Sequence, residues 1–224
     1  YFSRKIGLQS GNPVPILYGG RIIGKIGNIE VAAKQVKTRE TDFGNSEDFS
    51  VLRLKQNFLK ESSIGVLYTR RHTSKGKEFI PPLQDRNTLG VDLSLNTSTF
   101  LKNKNLQFQA FAIIHNPTSP DEISNNIWDR SARGLRFNFP NDPWSGSLSY
   151  REFGVSYDPA AGFSRRNSFR RVEPRFRFSP ILENSSLIRE LQWEVSFENL
   201  MSLQWKKLTQ NIRLTPLSIR FESG

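Results

Sequence analysis

A chain of 224 residues is long enough for one large domain or two small ones. Its 32 Lys and Arg outnumber 21 Asp and Glu, and the formal charge of +11 points either to an anionic partner (nucleic acid, a phospholipid or lipopolysaccharide surface, an acidic polymer) or to a solvated basic surface. The absence of cysteine excludes a disulfide framework and thiolate metal sites, and His72 and His115 are too few and too far apart for a typical zinc cluster. No stretch approaches the ~18 consecutive apolar residues of a membrane helix, an exclusion that does not touch the alternating strands of a membrane barrel.

Along the chain, Gly27-Asn28 separates two apolar stretches and reads as a tight hairpin. Ile64, Val66 and Tyr68 alternate with Gly65 and Thr69, with Leu67 as an interruption, after a polar turn at Lys60-Glu61-Ser62. A polar connection over 74–87 leads to Leu89, Val91, Leu93 and Leu95, which alternate with Gly90, Asp92 and Ser94. A short turn at 102–105 precedes Leu106, Phe108, Ala110 and Ala112. A long connection over 116–131 precedes Leu135, Phe137 and Phe139, which alternate with Arg136 and Asn138. An intermediate turn at 141–146 and a long connection over 158–167 follow.

The stretch FRRVEPRFRFSP (169–180) is the clearest case: Val172, Phe176 and Phe178 share one strand face, and Arg171, Glu173, Arg175 and Arg177 share the other. Leu191, Trp193, Val195 and Phe197 alternate with Gln192, Glu194 and Ser196. The nearest approach to an amphipathic helix, 185–191, is short.

The pattern predicts an all-β chain of about ten or eleven strands, many about ten residues long, the length that crosses a bilayer when tilted. Tight turns alternating with long connections fit an antiparallel transmembrane β-barrel of the outer-membrane type, in which apolar side chains meet lipid and polar ones line the lumen. Tyr150, Trp193, Trp205 and Phe221 are candidates for interfacial aromatic girdles, or for ordinary core aromatics. No composition shift marks a domain boundary, so 1–224 reads as a single segment.

The predicted lumen-facing ladder is Arg171, Glu173, Arg175 and Arg177 beside Glu190, Glu194 and Glu198 of the following strand. One permitted register sets Arg175 opposite Glu194 and Arg171 opposite Glu198, each such pair contributing roughly 0.2–1 kcal/mol. Pro174 lacks a backbone donor and predicts a local irregularity.

Three stretches carry a resemblance: FSRKIGLQSGNPVPILYGGRIIGKIGNIEVAAKQVKT near the start, ESSIGVLYTRRHT, and DPAAGFSRRNSFRRVEPRFRFSP. The matching positions are Phe2, Ser3, Arg4, Lys5, Ile6, Gly7 and Leu8, then Pro15-Ile16-Leu17 with Gly19 and Gly20, Ser63-Ile64-Gly65, and Gly162, Phe163, Arg165, Arg166, Phe169, Arg170 and Arg171. In this combination and order the chain resembles a bacterial outer-membrane family of unknown function, whose members look like a periplasmic family-9-type carbohydrate-binding domain followed by a large C-terminal β-barrel. The resemblance implies that the chain, which starts at Tyr1, is a portion of that barrel, with the carbohydrate-binding domain and the remaining barrel strands lying outside it.

Catalytic signals are weak. Asp121-Glu122 is an adjacent carboxylate pair in a long connection, not two carboxylates known to flank a substrate. Gly19-Gly20 lacks the Lys-Ser/Thr of a phosphate loop and reads as close backbone packing or a bend. The basic clusters at 70–72, 130–136 and 165–177 fit a pore lining, a lipopolysaccharide contact, a nucleic-acid grip or, most simply, charge pairing inside a lumen.

The expectation is a non-enzymatic, porin-like segment of the Gram-negative envelope, without cofactor and located in the bacterial outer membrane. Its partners would be outer-membrane lipid and lipopolysaccharide, with an anionic or carbohydrate solute to transport or handle and no nucleic acid. The alternative is a soluble carbohydrate-binding or carbohydrate-active β-domain.

Overall fold

The structure, a computed structural model, describes residues 6–9, 12–42, 44–74, 85–117, 126–162, 164–183, 185 and 187–222. The motif positions Phe2, Ser3, Arg4 and Phe163 and the pair Asp121-Glu122 lie outside the described residues.

A two-stranded hairpin, β1 (Leu8–Gln9) with β2 (Asn12–Pro13), precedes one eleven-stranded antiparallel sheet. Its strands are β3 (Ile16–Ile26), β4 (Ile29–Thr38), β5 (Glu47–Phe58), β6 (Ser62–Thr73), β7 (Asp85–Phe100), β8 (Lys104–His115), β9 (Ser131–Phe139), β10 (Trp144–Phe153), β11 (Phe169–Phe178), β12 (Ile188–Met201) and β13 (Lys207–Phe221). Every strand pairs with its neighbours in chain order, so the sheet is an uninterrupted meander. Among the described residues β3 and β13 are edges, and the sheet is not closed. The stretch 185–191 forms no helix among its described residues: β12 starts within it at Ile188, with a register shift between Ile188 and Glu190.

The connections sort by rim. Turns at 27–28, 59–61, 101–103 and 140–143 lie at one rim, and connections at 39–46, 74–84, 116–130 and 154–168 at the other. The last two depart from this: 179–187 is long for the short-turn rim and 202–206 short for the long-loop rim. Gly27 adopts φ +58°, the left-handed conformation that a two-residue hairpin demands and glycine supplies without strain.

Directly paired residues share a face, so the register assigns faces across the whole sheet. Ile64, Leu93, Ala110, Leu135, Tyr150 and Val172 form one continuous apolar row from β6 to β11. On the opposite face Lys55, Gly65, Asp92, Phe111, Gly134, Arg151 and Arg171 form a row from β5 to β11. This second face is not uniformly polar: Val36, Phe49 and Val51 lie on it and are buried near the long-loop rim of β4 and β5.

Two glycines on this charged face make room for side chains that cross a strand. Gly65 sits between β5 and β7, and a Cβ there would overlap the Arg53 guanidinium, which passes over it to ion-pair with Asp92. At Gly134 a Cβ would meet Phe111 of β8 at 2.8 Å and Arg151 of β10 at 3.1 Å. A Cβ at Gly19 would meet Val36 Cγ2 at 3.3 Å and the Gln35 carbonyl at 3.4 Å, whereas one at Gly20 would face open space.

The start of the connection after β10, 154–162, folds over the charged face at the long-loop rim. Ala160 donates its N–H to Thr88 Oγ1 at 2.8 Å, and Arg86 reaches Asp158 at 2.6 Å. His115 donates from Nδ1 to the Asn116 carbonyl at 2.6 Å and accepts the Asp158 N–H at Nε2 at 2.9 Å. Within this connection Tyr157, Ala160 and Ala161 are buried, with Tyr157 packed edge-on against Phe153 at 5.5 Å.

Two expectations follow. Gly65→Ala displaces Arg53 from Asp92 and lowers unfolding free energy by about 1–3 kcal/mol in denaturant titration, while Gly20→Ala stays within about 0.5 kcal/mol. Burial pushes the Tyr157 hydroxyl up to about 12. The unfolded chain therefore loses this proton near pH 10 while the folded one keeps it, so stability falls as pH rises between roughly 10 and 12. Denaturation midpoints across that window should show a smaller alkaline loss in Tyr157→Phe than in the parent.

Candidate functional site: an arginine-lined groove

β9 to β13 present alternate residues to the charged face, and the long side chains there interleave. Arg171, Glu173, Arg175 and Arg177 of β11 and Glu190, Glu194 and Glu198 of β12 share that face, as the alternation predicts. The register between the strands differs from the expected one by two residues: Arg177 lies opposite Glu194, Arg175 opposite Ser196, and Arg171 opposite Leu200. A slip of two keeps every side chain on its face. The aromatic row Trp144–Phe178–Trp193 on the apolar side fits this register, with ring centroids 4.0 and 5.6 Å apart.

Some ion pairs run straight across the ladder (Arg177–Glu194, Arg220–Glu190) and others diagonally (Arg175–Glu194, Arg171–Glu198). Arg177 binds Glu194 at 2.7 Å, Arg175 lies 3.6 Å from the same carboxylate, and Arg220 meets Glu190 at 3.0 Å. Arg171 bridges two carboxylates, Glu173 at 2.8 Å and Glu198 at 2.7 Å, the second an ion contact without hydrogen-bond alignment at Nε. Glu173 also binds Arg151 and accepts the Ser149 hydroxyl at 3.1 Å. Pairing between β11 and β12 lapses between Val172 and Arg175, the irregularity that Pro174 predicts.

Arg171, Glu173, Arg175 and Glu198 line a groove of about 690 Å³, whose further walls include Arg136 of β9, Ser147, Ser149 and Arg151 of β10, and Asn211 and Arg213 of β13. Neither Arg136 nor Arg213 has an acidic partner among the described residues, and both are exposed. A second, smaller concavity of about 320 Å³ adjoins it toward the long-loop rim, lined by Arg165, Arg166, Ser164 and Phe169, and it shares Arg151, Arg171 and Glu198 with the first. The alternation around 169–180 missed Arg136, Arg151 and Arg213 as members of one set. Their signal was the same parity, Ser147-x-Ser149-x-Arg151 and Asn211-x-Arg213, read across strands.

Other sequence-predicted positions fall elsewhere. Gly7 occupies a turn with φ +79°, Gly19 and Gly20 lie in edge strand β3, and Gly162 ends the buried part of the 154–168 connection. The 70–72 cluster is split by the strand: Arg71 turns to the charged face and binds buried Glu47, while Arg70 and His72 meet Asp85 on the other. Arg170 belongs to the apolar face, where Glu152 binds both Arg133 (2.7 Å) and Arg170 (3.0 Å). Each of these arginines stacks on a tryptophan, Arg133 on Trp128 at 4.2 Å and Arg170 on Trp205 at 4.4 Å.

No family profile, curated protein or solved structure matches this chain.

Removing Arg171 leaves Glu173 and Glu198 without their shared cation. Arg171→Ala is expected to destabilise the protein by about 1–3 kcal/mol. Arg175→Ala, which removes a half-exposed side chain at long range from Glu194, is expected to cost less than about 1 kcal/mol. Paired urea titrations would separate the two.

Proposed function

We propose that this chain is part of an outer-membrane β-barrel that passes or handles a solute, with no catalytic chemistry of its own. The observation that carries the reading is the apolar face. Leu54 of β5, Val66 of β6, Val91 of β7, Phe137 of β9, Leu148 of β10, Phe176 of β11, Val195 of β12 and Leu214 of β13 are all exposed on it. Water-soluble monomers rarely expose contiguous apolar patches beyond a few hundred Å². Lipid is the medium in which such a face is stable, and a closed barrel is the β-structure that leaves no unpaired backbone in it. The open edges β3 and β13 would pair with further strands to close the wall.

The aromatic residues support the same setting. Phe139, Trp144, Phe178 and Trp193 group at the short-turn rim of the apolar face, and Tyr68, Tyr150, Trp128 and Trp205 toward the long-loop rim. Phe178 and Arg170 mark the two ends of β11 on this face, eight residues apart. That is about 26 Å along a strand, comparable with the ~25 Å apolar band of outer-membrane barrels. Lipid and lipopolysaccharide would contact this face, and the arginine-lined groove would face the lumen. The link to carbohydrate rests on the resemblance of Gly65, Gly162, Arg165 and the other motif positions, and on the domain expected beside such a barrel.

Expression of the full-length protein that carries this chain in a Gram-negative host, followed by fractionation, tests this. Recovery in the outer membrane, with gel mobility that changes on heating, is the expected outcome. Recovery of folded protein without detergent in the soluble fraction would overturn the lipid-facing assignment and favour a soluble carbohydrate-binding or carbohydrate-active β-domain.

A further inference from the structure

The groove and the rim concavity together form one path along the charged face. It starts at Arg165 and Arg166 on the long-loop rim, passes Arg171 and Arg151, which line both cavities, and continues to Arg136, Arg175 and Arg213. Seven arginines line it against two glutamates, Glu173 and Glu198, and both glutamates are already held by arginine. Internal charge pairing therefore leaves most of the cation unneutralised. Arg136 and Arg213 stand on different walls of the groove, β9 and β13, with no acidic partner among the described residues.

The space between the arginines is lined by small hydroxyl side chains, Ser147, Ser149, Ser164 and Ser196, which leave room and can hydrogen-bond. Along β11 alone, Arg171 and Arg175 are four residues apart, about 13 Å on one strand. Cations repeating at that spacing suit a ligand that carries its charges in series. Guanidinium forks match tetrahedral oxyanions and bind them by paired charge-assisted hydrogen bonds.

We propose that this arginine path binds an elongated polyanion, a chain bearing repeated phosphate or sulfate groups, laid from the long-loop rim down the wall of the sheet. The setting, a lumen, rests on the barrel reading; the ligand class rests on the path itself.

The test is fluorescence-anisotropy binding by the full-length protein that carries this chain, in detergent micelles, with three labelled probes: a short linear polyphosphate, a sulfated oligosaccharide and a neutral oligosaccharide. Inorganic phosphate serves as competitor. Saturable binding of a polyanion, weakened about tenfold by Arg136→Ser and again by Arg213→Ser, is the expected result. Arg189→Ser, an exposed arginine outside the path, should leave it unchanged. Should Arg136→Ser fail to fold, Arg136→Gln keeps a polar planar end and carries the same expectation.

Preference between the two polyanions identifies phosphate or sulfate as the recognised group. Equal binding of the neutral probe, competition by inorganic phosphate at the polyanion's own concentration, or equal loss in Arg189→Ser would overturn the path. Heat-modifiable mobility is read on the same samples. A mobility shift without polyanion binding sinks the path and leaves the barrel. Arginine-dependent binding without a mobility shift sinks the barrel and leaves the path.

Discussion

The structure depends on one constraint, the unbroken antiparallel hydrogen-bond ladder from β3 to β13. Because each strand pairs with its neighbour in chain order, the two-residue period of one strand is handed to the next without inversion. A side chain that points to one face at β5 fixes which positions point there at β12. The separation into an apolar and a charged face is thus a property of the register as a whole, and local propensity alone would not produce it. Small lapses, such as the missing pairs around Pro174, are tolerated because the residues on either side keep the same register.

On the charged face the same ladder creates a crowding problem. Long side chains on adjacent strands project into shared space, and arginine needs a partner or room. The sheet supplies both. Gly65 and Gly134 remove a side chain from the middle strand so that Arg53 can reach Asp92, and so that Phe111 and Arg151 can close above β9. Further along, Arg171 draws Glu173 and Glu198 together across the gap at Pro174. Acidic residues thus hold part of the arginine array in place, while Arg136 and Arg213 are left to solvent.

Much of this was legible in the sequence, in unequal measure. The alternation at 89–95, 106–112, 135–139, 169–178 and 191–197 locates β7, β8, β9, β11 and β12, because apolar residues recur at every second position there, even in β8, whose charged side also carries Phe111. β5 carries Phe49 and Val51 on its charged face beside Leu52 and Leu54 on the other, so its period is blurred. The charges of β11 and β12 fixed the face but not the register. Arginine is long enough to reach a carboxylate one pair away, so two alignments satisfy the same ions, and the aromatic row Trp144–Phe178–Trp193 on the far side is compatible with the one adopted. The Arg53–Asp92 pair and the fold of 154–162 over Thr88 and His115 depend on three-strand alignment and tertiary cover, which no single window of sequence contains.

The count of strands in the meander has a geometric consequence. With eleven strands, β3 and β13 run in the same direction: both begin at the long-loop rim and end at the short-turn rim. Joined to each other they would have to pair in parallel, against the pattern of every other pair in the sheet. A closed wall that stays antiparallel throughout needs an odd number of strands inserted between these two edges, whatever polypeptide provides them. The parity of any such closure is therefore set by this sheet.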